Sequence, residues 1–324
     1  MHCFSTCMGS VMGHAFAKQL VSRAQSVVTF FRASHKPLAL LKQFALAMGI
    51  KRMLVTSNKT RFTSVHAMLE SLLRLKEALL RVVREHKGIL SAAVLSTLTD
   101  PMFFIALEQV CQLLVPFTLV IQAIQSDNAT LADVMRYWIF LGRSMQKLVA
   151  NLTDASFKAH CISAFNWRVK DMHNPHAHMG LFLHPWYRGQ AAKTDAQFDA
   201  LRSTAMKMWK YNGKHGTEGK ALLGELKQYR TGAKPFLGTL ANGDLDGVRT
   251  YWINIQHSAA ASGAPLQLPA LALIIHDIKP HAADPEKTFS TMGMYGSDRR
   301  NQLLNETTTA MTVIKMHHTK KNDR

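Results

Sequence analysis

Apolar residues recur at three- and four-residue steps through most of this 324-residue chain, and that period confines it to a fold built from helices. The pattern is plainest over residues 65–85, where Val65, Met68, Leu69, Leu72, Leu73, Leu79, Leu80 and Val83 share one side of a predicted helix. On it Glu70 precedes Arg74, and Glu77 precedes Arg81, by four residues, the favourable order for ion pairs. Residues 4–31 carry the same period up to a break at 34–37, and 38–48 predict a short helix stopped by Gly49. Thr130 and Asp133 have the spacing of a capping box, with Asp in the Glu position, ahead of a stripe of Leu131, Val134, Met135, Trp138, Leu141, Met145 and Leu148. Further helices are predicted over 195–209, 251–261, 269–276, 286–292 and 298–317. The best strand candidate is 52–57 (RMLVTS), which stands almost alone. Segments 211–219 and 238–247 are turn-rich and mark hinges or a linker.

Composition narrows the function classes. A hydrophobic share of 47% with 19% charged residues is that of a globular protein, and the length leans towards two folding units. Lys plus Arg number 39 against 21 Asp plus Glu, a net charge of +18. Such an excess repels itself, and its usual reason is a polyanionic partner, nucleic acid or an acidic membrane surface. Four cysteines in a chain this long make no disulfide framework and fit a reducing compartment. Cys3 and Cys7 lie near His2 and His14 but match no zinc-ligand spacing; a helix carries both cysteines on one core-facing side. Residues 1–21 lack the basic start and clean apolar run of a secretory signal. Residues 103–124 are strongly apolar, yet Glu108, Gln109, Gln112 and Gln122 interrupt them and Pro116 splits them. A helix buried inside a soluble protein and bent at the proline is expected, with no membrane partner.

The chain holds no GxGxxG after a strand, no P-loop, no HExxH, no CxxC and no GxSxG. His173, His176, His178 and His184 cluster around Asn174-Pro175, but no carboxylate or cysteine stands at ligand spacing among them; a polar loop without metal is expected. Read from its residues alone, the chain is basic, intracellular and mainly helical.

Two blocks carry a resemblance to a family. Thr60-Arg61-Phe62-Thr63-Ser64, ahead of the helix from Val65, resembles the T-R-W-x-S pattern of hAT-family transposases, with Phe62 at the usual Trp. Asp284-Pro285-Glu286-Lys287-Thr288-Phe289-Ser290, then Gly293, then Arg299-Arg300-Asn301-Gln302-Leu303, is similar to that family's C-terminal dimerisation signature, E-R-x-F-S, a glycine, and R-x-x-L. Tyr251-Trp252 and residues 266–278 match its lead-in, and Leu183-His184-Pro185-Trp186-Tyr187 resembles L-D-P-R-Y, with His at the Asp and Trp at the Arg.

The resemblance implies the helical insertion and C-terminal region of a ribonuclease-H-like transposase fold, mainly α, with at most one or two strands left from the sheet. It divides the chain into a core remnant (1–63), an insertion domain (64–240) and a dimerisation segment (241–324). In the intact family three acids hold two Mg²⁺ ions. Glu286 matches the third acid; the first two belong to strands before a Cys-x-x-His element whose histidine His2 resembles, so both are expected upstream of Met1 and Glu286 is expected to be orphaned. The implied protein is catalytically inactive and nuclear and needs no cofactor. It dimerises through Glu286, Phe289, Ser290, Gly293, Arg299, Arg300 and Leu303, and Arg61, Lys287, Arg299 and Arg300 contact nucleic acid without sequence preference. Two rivals stand beside it. A competent transposase needs two more acids at Glu286, and Asp277, Asp284 and Asp298 crowd the same segment. A helical scaffold would use the charge for solubility alone.

Overall fold

In a computed structural model, which describes residues 2–58, 62–211, 213, 216–238 and 245–280, the chain is helical, with no strand among the described residues. Among the described residues, nine helices build a first core: α1 (His2–Val11), α2 (Ala15–Ala33), α3 (His35–Ala47), α4 (Phe62–Arg74), α5 (Lys76–His86), α6 (Ala92–Thr99), α7 (Pro101–Ile124), α8 (Leu131–Ala150) and α9 (Ala155–Asp171). Six more build a second: α10 (Pro175–Phe182), α11 (Arg188–Ala191), α12 (Asp195–Tyr211), α13 (Thr217–Thr231), α14 (Leu245–Ala261) and α15 (Leu268–Asp277). The two meet along α8. Its first residue, Leu131, belongs to the second core, while Trp138, Leu141, Met145 and Val149 belong to the first. The first core draws on residues from both sides of position 64.

Helix ends follow local chemistry. Gly49, at φ +73°, terminates α3 in a left-handed turn that lets Ile50 N–H reach the Ala45 carbonyl (2.8 Å) and Gly49 N–H that of Leu46 (3.0 Å). Asp100 accepts the Met102 N–H (2.9 Å) at the start of α7 and also bonds Arg23 of α2 (2.8 Å), which holds its carboxyl below the usual carboxylate range. Thr130 donates its N–H and its hydroxyl to the Asp133 carboxylate, both at 2.9 Å, so the expected cap forms.

The long apolar segment is one continuous helix, α7, with Pro116 inside it. By length and composition it could cross a membrane, but two thirds of its most apolar stretch (67%) is buried against other helices, and Glu108 and Gln112 face outward.

Four expectations are corrected. Residues 52–57 form no strand, because no second strand is there to take their backbone groups; side chains take them instead. Val55 donates its N–H to Ser71 Oγ (3.1 Å) and the Leu54 carbonyl accepts from Arg32 (3.5 Å). The helix predicted over 65–85 is two helices that bend at Leu75 (φ −96°, ψ 7°); Leu75 stays buried, so the apolar period runs through the bend unchanged. On α5, Arg81 pairs with Glu85 (2.7 Å). The helix predicted over 4–31 breaks at Gly13, and His14 caps α2 by accepting the Phe16 N–H (3.3 Å). Finally, the histidine-bearing stretch is not a polar loop. Asn174 accepts the His176 and Ala177 N–H groups (2.9 and 3.2 Å) as an N-cap, Pro175 takes the first turn, and α10 buries Met179, Leu181 and Phe182.

Candidate nucleic-acid interface

Most sequence-predicted site residues, namely Arg61, Glu286, Lys287, Phe289, Ser290, Gly293, Arg299, Arg300 and Leu303, lie outside the described residues. Of the first resembling block, Phe62, Thr63 and Ser64 open α4, and the Ser64 hydroxyl bonds the backbone of Asn58 (2.8 and 3.1 Å). Asp277, one acid considered for a rebuilt site, ends α15 exposed and faces Arg249 (3.5 Å) and His276 (3.7 Å).

The groups that most resemble catalytic machinery are held in structural roles. His14 and Ser156 sit 3.2 Å apart, the spacing of a base and its nucleophile. Yet His14 Nδ1 accepts the Phe16 N–H, which leaves the proton on Nε2, so the neutral ring donates to Ser156 and cannot deprotonate it. His160 Nε2–H donates to the Ser10 carbonyl (2.9 Å) and His178 Nε2–H to that of Ala191 (2.8 Å), while His184 Nδ1 accepts the Trp186 N–H (3.3 Å). Burial pushes the Cys7 and Cys161 thiols up to about 12 and Cys111 to about 11, so none is a ready nucleophile. Among the described residues no three His, Cys, Asp or Glu side chains converge on one point.

What the fold does assemble is a cationic face. The chain carries no Asp or Glu before Glu70, while Lys18, Arg23, Arg32, Lys36, Lys42, Lys51, Arg52, Lys59 and Arg61 all precede it. Helix α2 turns core residues Leu20, Ala24, Val27, Val28 and Phe31 inward, which leaves Lys18, Ser22, Ser26, Thr29 and Arg32 outward. Residues 51–58 run back alongside it. Ser57 donates to Gln25 Oε1 (2.5 Å) and Arg32 reaches the Leu54 carbonyl, with Lys51 and Arg52 just before Leu54 in the chain and Lys36 in the first turn of α3. Lys42 is exposed on α3, against which α5 brings Arg81, its guanidinium 4.3 Å from the Phe44 ring. Among the described residues Lys18, Arg32, Lys36, Lys42, Lys51 and Arg52 form no ion pair with an acid, and all six are exposed. From Lys18 to Arg32 helix α2 extends about 21 Å at 1.5 Å per residue. That matches on the order of six phosphates of one strand at 3.4 Å each. Lys, Arg, Ser and Thr side chains are the usual contacts to phosphate oxygens, and such contacts carry no base information.

A net charge summed over the whole chain hides this face. The signal was present as an absence: the missing acids of the first 69 positions.

Compared with known proteins, the chain matches no family model, and no curated protein is significantly similar to it. The transposase resemblance therefore stands on the quoted residues alone.

Proposed function

We propose that this chain is a helical, transposase-derived nuclear protein that binds nucleic acid non-specifically through its phosphates, associates with itself and carries out no strand transfer. The observation that carries the reading is the exposed cationic face of α2, α3 and 51–58 in a stretch without a single acid. Lys18, Arg32, Lys36, Lys42, Lys51 and Arg52, none of them paired with an acid among the described residues, are available to phosphates, and the release of condensed counterions supplies the affinity. Descent from a transposase is supported by the Thr60–Ser64 and Glu286–Leu303 blocks. The inactivity reading rests on the resemblance, in which Glu286 matches one of the three acids that would hold two metal ions.

The test is binding of a labelled duplex as salt is raised. The logarithm of affinity should fall linearly with that of salt, with a slope of about −0.9 per phosphate neutralised. The quadruple variant Arg32→Gln/Lys36→Gln/Lys51→Gln/Arg52→Gln should flatten that slope by about 3 to 4. Binding indifferent to salt, or purification free of nucleic acid with no binding at low salt, points to the scaffold instead. Strand transfer with Mg²⁺ or Mn²⁺ that disappears in Glu286→Gln overturns inactivity.

A further inference from the structure

Two copies of a chain with net charge +18 repel each other unless they meet on a face that lacks cations. Helix α7 carries no cation of its own; two that stand against it, Arg23 (5.2 Å from the Phe103 ring and paired with Asp100) and Lys76 (5.4 Å from the Phe104 ring), lie over buried rings at its first turn. Its 24 residues contain no Lys, Arg or His and a single acid, Glu108. Its outward stripe reads Met102, Ile105, Glu108, Gln112, Val115, Leu119, with Met102 and Leu119 each 52% exposed, Ile105 43% and Val115 39%. The apolar groups exposed on α8 and α9, which include Phe140, Ile162 and Trp167, differ in one respect that decides the matter: Arg143, Lys147 and Lys170 are exposed on the same helices. Copies meeting there would bring like charges together.

The order of the α7 stripe is also palindromic. Glu108 and Gln112 lie two residues either side of position 110, Ile105 and Val115 five, and Met102 and Leu119 eight and nine. A two-fold contact is self-complementary: whatever residue i meets, its symmetry mate must meet in return. Two α7 helices running antiparallel across an axis beside position 110 satisfy that condition. Met102 faces the partner's Leu119, Ile105 faces the partner's Val115, and Glu108 faces the partner's Gln112. The lone charge of the stripe keeps a donor there, because Gln112 Nε2, which already donates to Glu108 Oε1 within the chain (3.3 Å), has its counterpart across the axis. From Met102 to Leu119 the contact runs about 26 Å along the helix.

We infer that the outward face of α7 is a self-association surface that packs antiparallel against α7 of a second copy. The inference rests on the self-association reading above, and assigns it to residues other than the C-terminal block that the family resemblance implies.

Sedimentation velocity at micromolar concentration and moderate salt tests it. The wild type should sediment as a dimer of twice 36.2 kDa, 72.4 kDa. Ile105→Arg/Leu119→Arg should sediment as a monomer with an unchanged helical circular-dichroism spectrum, since both side chains are outside the core. Phe140→Arg/Ile162→Arg should remain a dimer. As a second measurement, a Met102→Cys chain mixed with a Leu119→Cys chain should cross-link on oxidation, whereas Met102→Cys alone should not, its two copies standing about 24 Å apart along the helix. A monomeric wild type overturns both this inference and self-association itself. A dimer that survives Ile105→Arg/Leu119→Arg overturns the α7 surface alone, and cross-linking of Met102→Cys with itself overturns the antiparallel arrangement. A monomer that partitions into phosphatidylserine-containing vesicles gives the stripe to a membrane surface and likewise overturns the inference.

Discussion

Glu225 shows how one side chain can fasten two helices at a titratable expense. It sits on α13, 7% exposed, and its carboxylate accepts the N–H groups of Gln267 (2.9 Å) and Leu268 (2.6 Å) at the start of α15, where a helix has no internal acceptors to offer. Burial raises its pKa above the ordinary 4.5, and the two backbone bonds offset only part of that. The folded chain therefore holds the Glu225 proton more tightly than the unfolded chain. Stability from this group is fully present below the unfolded value and is lost as pH rises through the folded one. Glu225→Gln keeps one acceptor oxygen and removes the charge. Its melting temperature should fall furthest below wild type near pH 4 and should close the gap, or overtake, near neutral pH. Glu225→Ala, which strands both N–H groups in a buried place, should lie about 1–3 kcal/mol below Glu225→Gln at every pH, its gap to wild type narrowing in parallel as pH rises. Parallel curves for wild type and Glu225→Gln would show that burial is not what the carboxylate feels.

At the scale of elements, the junction of the two cores depends on how closely α10 approaches α8. Gly180 makes that approach possible. A Cβ there would stand 2.9 Å from the backbone nitrogen of Ala132 and 3.1 Å from the carbonyl carbon of Leu131, and neither can move without shifting α8. Gly180→Ala should lower stability by about 1–3 kcal/mol. In thermal unfolding that is a drop of roughly 3–10 °C. Gly224→Ala on α13, where a Cβ would meet nothing within 4 Å, is the control and should be neutral or slightly stabilising. Equal effects at the two positions would mean that the helices separate freely. The helices themselves were legible in the sequence, since the apolar period, the Thr130–Asp133 cap and the Gly49 stop act within a few residues. What stayed hidden was set by contacts or by ambiguous chemistry. Asn174-Pro175 serves a turn and a helix start equally well; here Met179, Leu181 and Phe182 find a core, and it starts α10. Residues 52–57 have a strand's composition, but only a neighbouring strand makes one. The outward stripe of α7 could not be separated from its inward face, because both are apolar and only packing tells Leu119 from Leu113. The cationic face was readable from the missing acids before Glu70.

For the whole molecule, the charge that suits a polyanion should work against the fold. Ion pairs do not remove it. Among the described residues several are exposed helix-surface pairs such as Arg81–Glu85 and Arg202–Asp199, each worth under about 1 kcal/mol. Apart from Arg23, which pairs with Asp100, the cations of α2, α3 and 51–58 pair with no acid among the described residues. Their mutual repulsion reaches across the face at low ionic strength and is cut short as the screening length falls from about 30 Å at 0.01 M to about 8 Å at 0.15 M. The melting temperature of the free protein should therefore rise over that range of sodium chloride. Chloride is the right salt for this measurement, because sulfate stabilises folded chains by exclusion whatever their charge. Arg32→Gln/Lys36→Gln/Lys51→Gln/Arg52→Gln should melt higher than wild type at the low-salt end and show a flatter rise. Short duplex should replace the effect of salt in the wild type and do little for the variant, because the phosphates neutralise the same groups. Should the wild-type midpoint stay level or fall with added chloride, the excess charge is balanced locally, and the α2–α3 face is not the reservoir of unpaired cations on which phosphate binding depends.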